Sequence, residues 1–302
     1  MIPYARLRPG PGFAPGKALL YYAQRVVTLP PARRFISSVI SGAVRLMHGA
    51  VAIPSVEAGA AGALADLAEH GVAMLSPLLA DAAVARMLAY FLDQPVVAPD
   101  GGLVPLERLA PGAATADYPL RTALDCPGMM ELLNAPAIMQ LCTQFLGCKP
   151  TVSSLGVRWS FPGAGRTART QEFHRDLDDW RFLKLFVYLT DVDHGSGPHT
   201  YVRGSHKTAF SLKAKAYSRS ELDRRFGPDS FLSIVGPRGT TFIADTLGVH
   251  RGDAPAARPR LVLQAQYSLL PIFAFDYAPV LRTELGFDGY SNRLLVRDPE
   301  GV

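Results

Sequence analysis

The amino-acid sequence predicts a mainly β fold with buttressing helices, and three observations carry that expectation. Helical patterns fill the first half of the 302-residue chain, the texture changes after Lys149, and short β-like runs then alternate with turns. Regularly spaced short strands punctuated by Gly, Pro, Ser and Asp indicate a sandwich or jelly roll. The expected core is therefore a double-stranded β-helix, a cupin-like jelly roll. An N-terminal arm is expected over residues 1–55, and the barrel domain with its helical N-terminal part over 56–302. A single β-barrel domain can exceed ~200 residues, so one domain accommodates this length.

The arm begins Met1-Ile2-Pro3-Tyr4-Ala5-Arg6 and runs through a Pro/Gly-rich stretch to Gly16, so no secretory leader is expected. Between Phe35 and Ile53, the apolar residues Phe35, Ile36, Val39, Ile40, Val44 and Met47 recur at helical spacing. Ser37, Ser38, Ser41 and Arg45 lie between them. That pattern reads as an amphipathic helix docked on the protein rather than one spanning a bilayer. Contact of residues 35–53 with a membrane surface is the alternative.

An Ala-rich helix is expected over roughly Ala60–His70, then a strand at Gly71–Leu75 ending at Ser76-Pro77. Asp81 is positioned to cap a helix to about Asp93, with Val84, Met87, Leu88 and Phe91 on one face. Residues 94–128, rich in Pro, Gly and Ala, read as a long loop. A further helix spans Met129–Leu146, interrupted near Pro136 and stopped at Gly147. Strands are expected at Thr151–Phe161, Phe182–Val192, Thr200–Val202, Phe231–Val235, Gly239–Ala244 and Arg260–Leu269.

Composition narrows the function. Hydrophobic residues make up 48% and charged residues 19%, a balance that buries a sizeable core and argues against disorder. The net charge of +5 mildly favours anionic small molecules. The basic residues are scattered with no aromatic-interleaved block, so a nucleic-acid partner is not expected. The three cysteines (Cys126, Cys142, Cys148) are odd in number and lack a CxxC, which argues against a disulfide framework and a zinc ribbon. Free thiols in a reducing compartment, hence a cytoplasmic protein, are the expectation.

The sharpest local pattern is Phe173-His174-Arg175-Asp176. On an extended strand end, His174 and Asp176 point to the same face. An imidazole and a carboxylate there can hold a divalent metal. A histidine from a facing strand completes a 2-His-1-carboxylate triad, which leaves open positions on iron. His250, after the strand-like Gly239–Ala244, is the natural third ligand. Ten residues later Arg260 opens the last strand pattern, where a guanidinium can clamp a carboxylate with two parallel hydrogen bonds. An HxD tripeptide alone is weak. The β-rich context, the downstream His and the Arg beyond it give it weight.

The segment 150–270 resembles the phytanoyl-CoA dioxygenase family. His174-Arg175-Asp176 resembles that family's HxD, and Leu183-Lys184-Leu185-Phe186-Val187-Tyr188-Leu189-Thr190-Asp191-Val192 its following strand. Ser196-Gly197-Pro198-His199-Thr200-Tyr201-Val202-Arg203-Gly204-Ser205-His206-Lys207 resembles the family's Asn-Gly…Pro-Gly-Ser-His-Lys stretch. His250 with Arg260 resembles its distal His and cosubstrate Arg, and Gly71–Leu75 with the helix after Asp81 its opening strand and helix. Ser196 stands where Asn is usual, and Arg203 where Pro is usual.

The resemblance implies an Fe(II)- and 2-oxoglutarate-dependent oxygenase. His174, Asp176 and His250 would ligate iron, and Arg260 would bind the far carboxylate of 2-oxoglutarate. Such an enzyme uses O2 and releases succinate and CO2 as it oxidises a small organic substrate. Related halogenases carry a small residue at the Asp position, so the intact Asp176 implies hydroxylation or another oxidation. A lipid, an acyl thioester and a secondary metabolite all match as substrate. The rival reading is a catalytically inactive cupin-like protein that binds a metal or ligand.

Other residues carry paired readings. Lys184 sits in an apolar strand and either meets an anionic group of cosubstrate or substrate, or snorkels to solvent. His194, His199 and His206 crowd one segment, so a second metal site there is weighed, whereas the resemblance makes His206 part of a structural turn. Trp159 and Trp180 read as core in preference to pocket walls. Gly163–Thr170, with Arg166 and Arg169, reads either as a loop that closes over substrate or as a plain surface loop.

Overall fold

The computed structural model describes residues 2–49, 58–98, 100–163, 171–211, 216–282 and 286–298. Helices α1 (Pro15–Val26) and α2 (Pro30–His48) come first. They are followed by α3 (Ala58–His70), strand β1 (Val72–Leu75) and α4 (Asp81–Leu92). Three short strands come next: β2 (Val96–Val97), β3 (Leu103–Val104) and β4 (Thr115–Asp117). Then come α5 (Leu120–Asp125), α6 (Met129–Leu133) and α7 (Pro136–Leu146).

The β-rich half begins with β5 (Thr151–Ser160), β6 (Phe182–Tyr188) and β7 (His199–Val202). Helix α8 (Arg219–Phe226) precedes β8 (Phe231–Ile234), β9 (Thr241–Ala244), β10 (His250–Gly252) and β11 (Arg260–Ser268). Strand β12 (Val280–Leu281), α9 (Gly289–Asn292) and β13 (Val296–Arg297) follow.

Eight strands form one antiparallel sheet in the order β1-β9-β6-β11-β5-β4-β2-β3, and β10-β7-β8 form a second. This is the expected jelly-roll core with helices packed against it. Side-chain alternation decides what each face of the large sheet does. Leu155, Val157, Leu183, Leu185, Leu263 and Tyr267 point to one side, into the main hydrophobic core. There they meet helix residues such as Leu67, Met87, Phe91, Met129 and Leu141. The alternate residues, among them Ser154, Arg158, Lys184, Phe186, Val262 and Gln264, line a cavity of about 610 Å³ on the other side. Register places Gln266 between Lys184 and Ser154 on the flanking strands, and Arg260 beside Ser160.

Several boundaries differ from the sequence expectation. Residues 94–128 are not simply a loop: β2, β3 and β4 extend the large sheet, and α5 follows. Strands of two or three residues are too short to show a hydrophobic period. Pro136 splits the expected 129–146 helix into α6 and α7, since the ring cannot continue the preceding turn. Asp81 lies inside the first turn of α4, not at its cap, and holds Arg238 through Nε and Nη2 at 2.8 Å each.

Helix α2 forms as expected and ends at His48, before Gly49; residues 50–53 of the expected amphipathic segment lie outside the described residues. An amphipathic helix ordinarily docks by its apolar stripe. Here Arg33, Ser37, Ser41 and Val44 are buried, while Phe35 is 72% and Leu46 89% exposed. The buried serines are satisfied locally: Ser37 Oγ donates to Arg33 O at 2.8 Å, and Ser41 Oγ to Ser37 O and Leu146 O at 2.7 Å. Among the described residues, no helix is long and apolar enough to cross a membrane. The three cysteines are free and buried.

Candidate metal centre

His174 and His250 face each other as a hydrogen-bonded antiparallel pair. His174 N donates to His250 O at 2.9 Å, and His250 N donates to His174 O at 3.0 Å. Two residues on, Asp176 N donates to Thr246 O at 2.9 Å, which holds the carboxylate on the same side as His174. Each ring is then fixed by its second nitrogen. His174 Nδ1 lies 2.7 Å from Glu172 O, and His250 Nδ1 3.0 Å from Gly248 O. A carbonyl only accepts, so Nδ1 carries the proton and Nε2 presents its lone pair.

Both Nε2 atoms converge on Asp176. His174 Nε2 is 3.6 Å from Oδ1 and His250 Nε2 is 3.4 Å from Oδ2. The three ligand-type atoms lie within 4.8 Å of one another. Ligands about 2.1 Å from one ion sit roughly 3 Å apart when adjacent, so this set needs only a slight contraction. Burial, with His250 nearby, lowers the His174 pKa to about 4, which keeps its imidazole neutral at physiological pH. Burial alone would raise the Asp176 pKa, but Lys184 and the two histidines outweigh it and hold the carboxyl well below its ordinary value. Two imidazoles and one carboxylate fit a divalent cation, and among the described residues no other such cluster occurs.

The Lys184 side chain is 16% exposed, and its ammonium is held by the protein. Its Nζ donates to Asp176 Oδ2 at 2.7 Å and to Asp178 Oδ2 at 3.1 Å. Burial would lower its pKa, but the two carboxylates outweigh that and raise it. The sequence expected Lys184 to meet an anionic group of cosubstrate or substrate, or to snorkel; the anions it meets belong to the protein. Its partners lie six and eight residues away on an irregular segment, and no local spacing announces them.

Arg260 is 7% exposed and lines the same cavity, and among the described residues its Nε and Nη1 have no hydrogen-bond partner. A buried, unsatisfied donor costs about 1–3 kcal/mol, so these atoms fit a bound anion. Gly252 makes room for the guanidinium: a Cβ there would lie 2.9 Å from Arg260 Nη2. Phe186, Phe242, Val262 and His199 line the same cavity as His174, Asp176, His250 and Arg260.

His199 was weighed as part of a second metal site. It stacks on His250 with ring centroids 5.4 Å apart and lies 4.7 Å from the Phe186 ring. Burial, then His250 and Arg260, hold its pKa well below the ordinary value. Among the described residues, no metal-sized cluster includes His194, His199 or His206. Trp159 packs in the main core and donates from Nε1 to Tyr118 Oη at 2.9 Å; Trp180 packs against the α2 side, away from the cavity. The Gly163–Thr170 loop lies outside the described residues, except Gly163.

The turn after β7 has a role that spacing did not reveal. Ser205 Oγ donates to Val202 O at 2.6 Å and accepts from Val249 N at 2.7 Å, tying the turn to the segment that carries His250. The Arg203 N–H donates to Ser230 O at 2.8 Å, a bond that proline could not make. Ser196 reproduces a local cap, bonding Asp193 Oδ1 through both N and Oγ at 2.9 and 2.8 Å. Gly197 is irreplaceable by shape: its φ is +69°, and a Cβ would meet Asp253 O at 2.3 Å.

No family model matches the chain, and no curated protein does. Solved structures do. EctD from S. alaskensis with bound Fe is similar at 17% identity and TM-score 0.52, over 78% of this chain and 86% of that one. EctD with 2-oxoglutarate and 5-hydroxyectoine is similar at 18% identity and TM-score 0.51, over 72% and 79%. SnoK, a non-heme alpha-ketoglutarate-dependent carbocyclase from nogalamycin biosynthesis, is similar at 16% identity and TM-score 0.50, over 68% and 83%. At these identities the likeness is one of fold.

Proposed function

We propose that this protein is an Fe(II)- and 2-oxoglutarate-dependent oxygenase of a small organic molecule. The observation that carries the reading is the combination of His174, Asp176 and His250 around one point with an unpartnered Arg260 in the same cavity. The similar structures include proteins solved with iron and with 2-oxoglutarate, which supports the same assignment here. The resemblance to the phytanoyl-CoA dioxygenase family agrees with it, and the free buried cysteines agree with a cytoplasmic setting.

Each residue then has a part. The Nε2 lone pairs of His174 and His250 and one Asp176 oxygen would hold the metal. The Nδ1–H bonds to Glu172 O and Gly248 O keep both rings in the ligating tautomer. Lys184 keeps Asp176 ionised and engages Oδ2, leaving Oδ1 for the ion. Arg260 would take the far carboxylate of 2-oxoglutarate in charge-assisted bonds from Nε and Nη1. Phe186, Phe242 and Val262 exclude water around that diacid. When bound, iron supplies O2 activation coupled to decarboxylation of the 2-oxo acid to succinate and CO2.

The test is Fe(II)-dependent formation of succinate from 2-oxoglutarate. Wild type should show it, and His174→Ala and Asp176→Ala should each abolish it along with anaerobic Fe(II) binding. Wild-type turnover in either variant would remove the assignment. If the wild-type protein binds Fe(II) but never consumes 2-oxoglutarate, the reading passes to an inactive cupin-like binding protein. Membrane contact through residues 35–53 is the lesser reading for the exposed face of α2, and flotation with liposomes tests it.

A further inference from the structure

We propose that the end of the cavity around Gln266 binds the molecule to be oxidised. We further propose that it selects small polar molecules presenting a hydrogen-bond donor and acceptor side by side, as a carboxamide or lactam does. Calling this ligand the substrate rests on the oxygenase reading; the binding site itself does not.

Gln266 is 1% exposed, and among the described residues neither its Oε1 nor its Nε2 has a hydrogen-bond partner. It lines the same cavity as the metal ligands. Its cross-strand neighbours are Ser154 on β5 and Lys184 on β6, and neither bonds it; the Lys184 Nζ is engaged by Asp176 and Asp178. A buried amide left without partners is unfavourable, and sequences do not keep one in a sheet face without compensation.

The position separates this site from the Arg260 end. Arg260 and Gln266 lie on the same strand and the same face, six residues apart, which at ~3.3 Å per residue is roughly 20 Å along β11. A five-carbon diacid is far shorter than that span, so one molecule cannot satisfy both orphaned groups. The Gln266 end instead adjoins Asp176 through Lys184, which brings a ligand bound there close to the metal position.

The chemistry of the amide sets the class. Oε1 accepts and Nε2 donates from adjacent positions, so the complementary ligand offers a donor beside an acceptor. Phe275 and Ile272 line the cavity too, and Tyr4 packs edge-on against Phe275 with centroids 5.1 Å apart. These residues suit the flat face of a ring. A fatty acyl chain would leave the Gln266 amide dehydrated and unbonded, and sites built to hydrogen-bond reject analogues that cannot.

The experiment titrates the full chain calorimetrically with nicotinamide, uracil and, as the apolar probe, decanoate. Titrations run with and without Fe(II) and 2-oxoglutarate under anaerobic conditions. At least one amide probe should bind wild type, decanoate should not, and Gln266→Leu should weaken the amide probe at least tenfold. Gln266→Met, of matching length, repeats the measurement should Leu disturb the packing. Binding of Fe(II) and 2-oxoglutarate should be unchanged in both variants. The proposal is overturned if neither amide probe binds, if the variants bind it as well as wild type, or if decanoate is preferred. It is also overturned if the variants lose 2-oxoglutarate in step with the amide probe. Failure of the oxygenase reading appears separately, as absent Fe(II) or 2-oxoglutarate binding in wild type.

Discussion

Arg33 on α2 and Arg260 on β11 are both buried, at 3% and 7% exposure, yet their surroundings are opposite. Arg33 donates from Nη1 to Gln24 O and Val27 O, and from Nη2 to Asp179 O and Trp180 O; only Nε is left over. Arg260 has both Nε and Nη1 unpartnered and faces a cavity. The first arginine is consumed by the fold, joining α1, α2 and the segment after the HxD. The second keeps donors that nothing among the described residues takes up. Buried charge by itself therefore says nothing about function; the state of its donors does.

That contrast can be broken by mutation. Arg33→Met strands four backbone carbonyls and should cost about 3 kcal/mol or more of stability, read as a fall in denaturation midpoint. The folded fraction should keep its 2-oxoglutarate affinity. Arg260→Leu should do the reverse: roughly a hundredfold loss of 2-oxoglutarate affinity, near 2.7 kcal/mol, with stability unchanged or raised. If Arg260→Leu unfolds the protein as Arg33→Met does, the distinction fails.

A smaller effect concerns Asp179, whose backbone carbonyl serves Arg33. Burial raises its carboxyl pKa from 3.8 to about 7, against bonds from Leu270 N and Trp180 N. The native state thus holds this proton more tightly than the unfolded chain does. The stabilisation is full below pH 3.8 and is lost as pH rises towards 7. Asp179→Asn cannot ionise, so its deficit in melting temperature relative to wild type should be widest near pH 4 and narrow by pH 8. A deficit independent of pH would show that Asp179 is ionised throughout. Smallest of all, Phe35→Ser and Leu46→Ser should shift stability by less than about 0.5 kcal/mol, because these side chains already face solvent.

The same two regions show what was legible in the sequence. On β5 and β11 short apolar runs bounded by turn residues announce the strands, although the run Leu261-Val262-Leu263 leaves the buried face open. The HxD pair could be read because i and i+2 share a side, and His250 because of where it falls between strands. On α2 the hydropathy pattern is equally clear, yet Phe35, Val39 and Met47 point outward while Val44 and Ile40 pack inward beside the polar residues. Serine hydroxyls that bond back to their own helix, and one arginine capped by carbonyls, make a polar stripe fit for burial. Such bonds leave no trace in a hydropathy pattern. Gln266 is hidden for a related reason. A polar residue in an alternating strand reads as solvent-facing, and only the closed second face turns it inward. Lys184 was recognised as anomalous, but its partners became evident only when the chain after Asp176 folded back beside β6.

The paired backbones of His174 and His250 have a consequence for metal exchange. Two of the three proposed ligands are joined by reciprocal main-chain bonds and do not depend on an ion to bring them together. Their mutual distance is set before any ion arrives, so little chain entropy remains to be lost on binding. A chelator should therefore empty the centre without melting the barrel. Metal would then add to stability by simple mass action, rising with its free concentration, in contrast to small zinc domains whose folding and loading are one event.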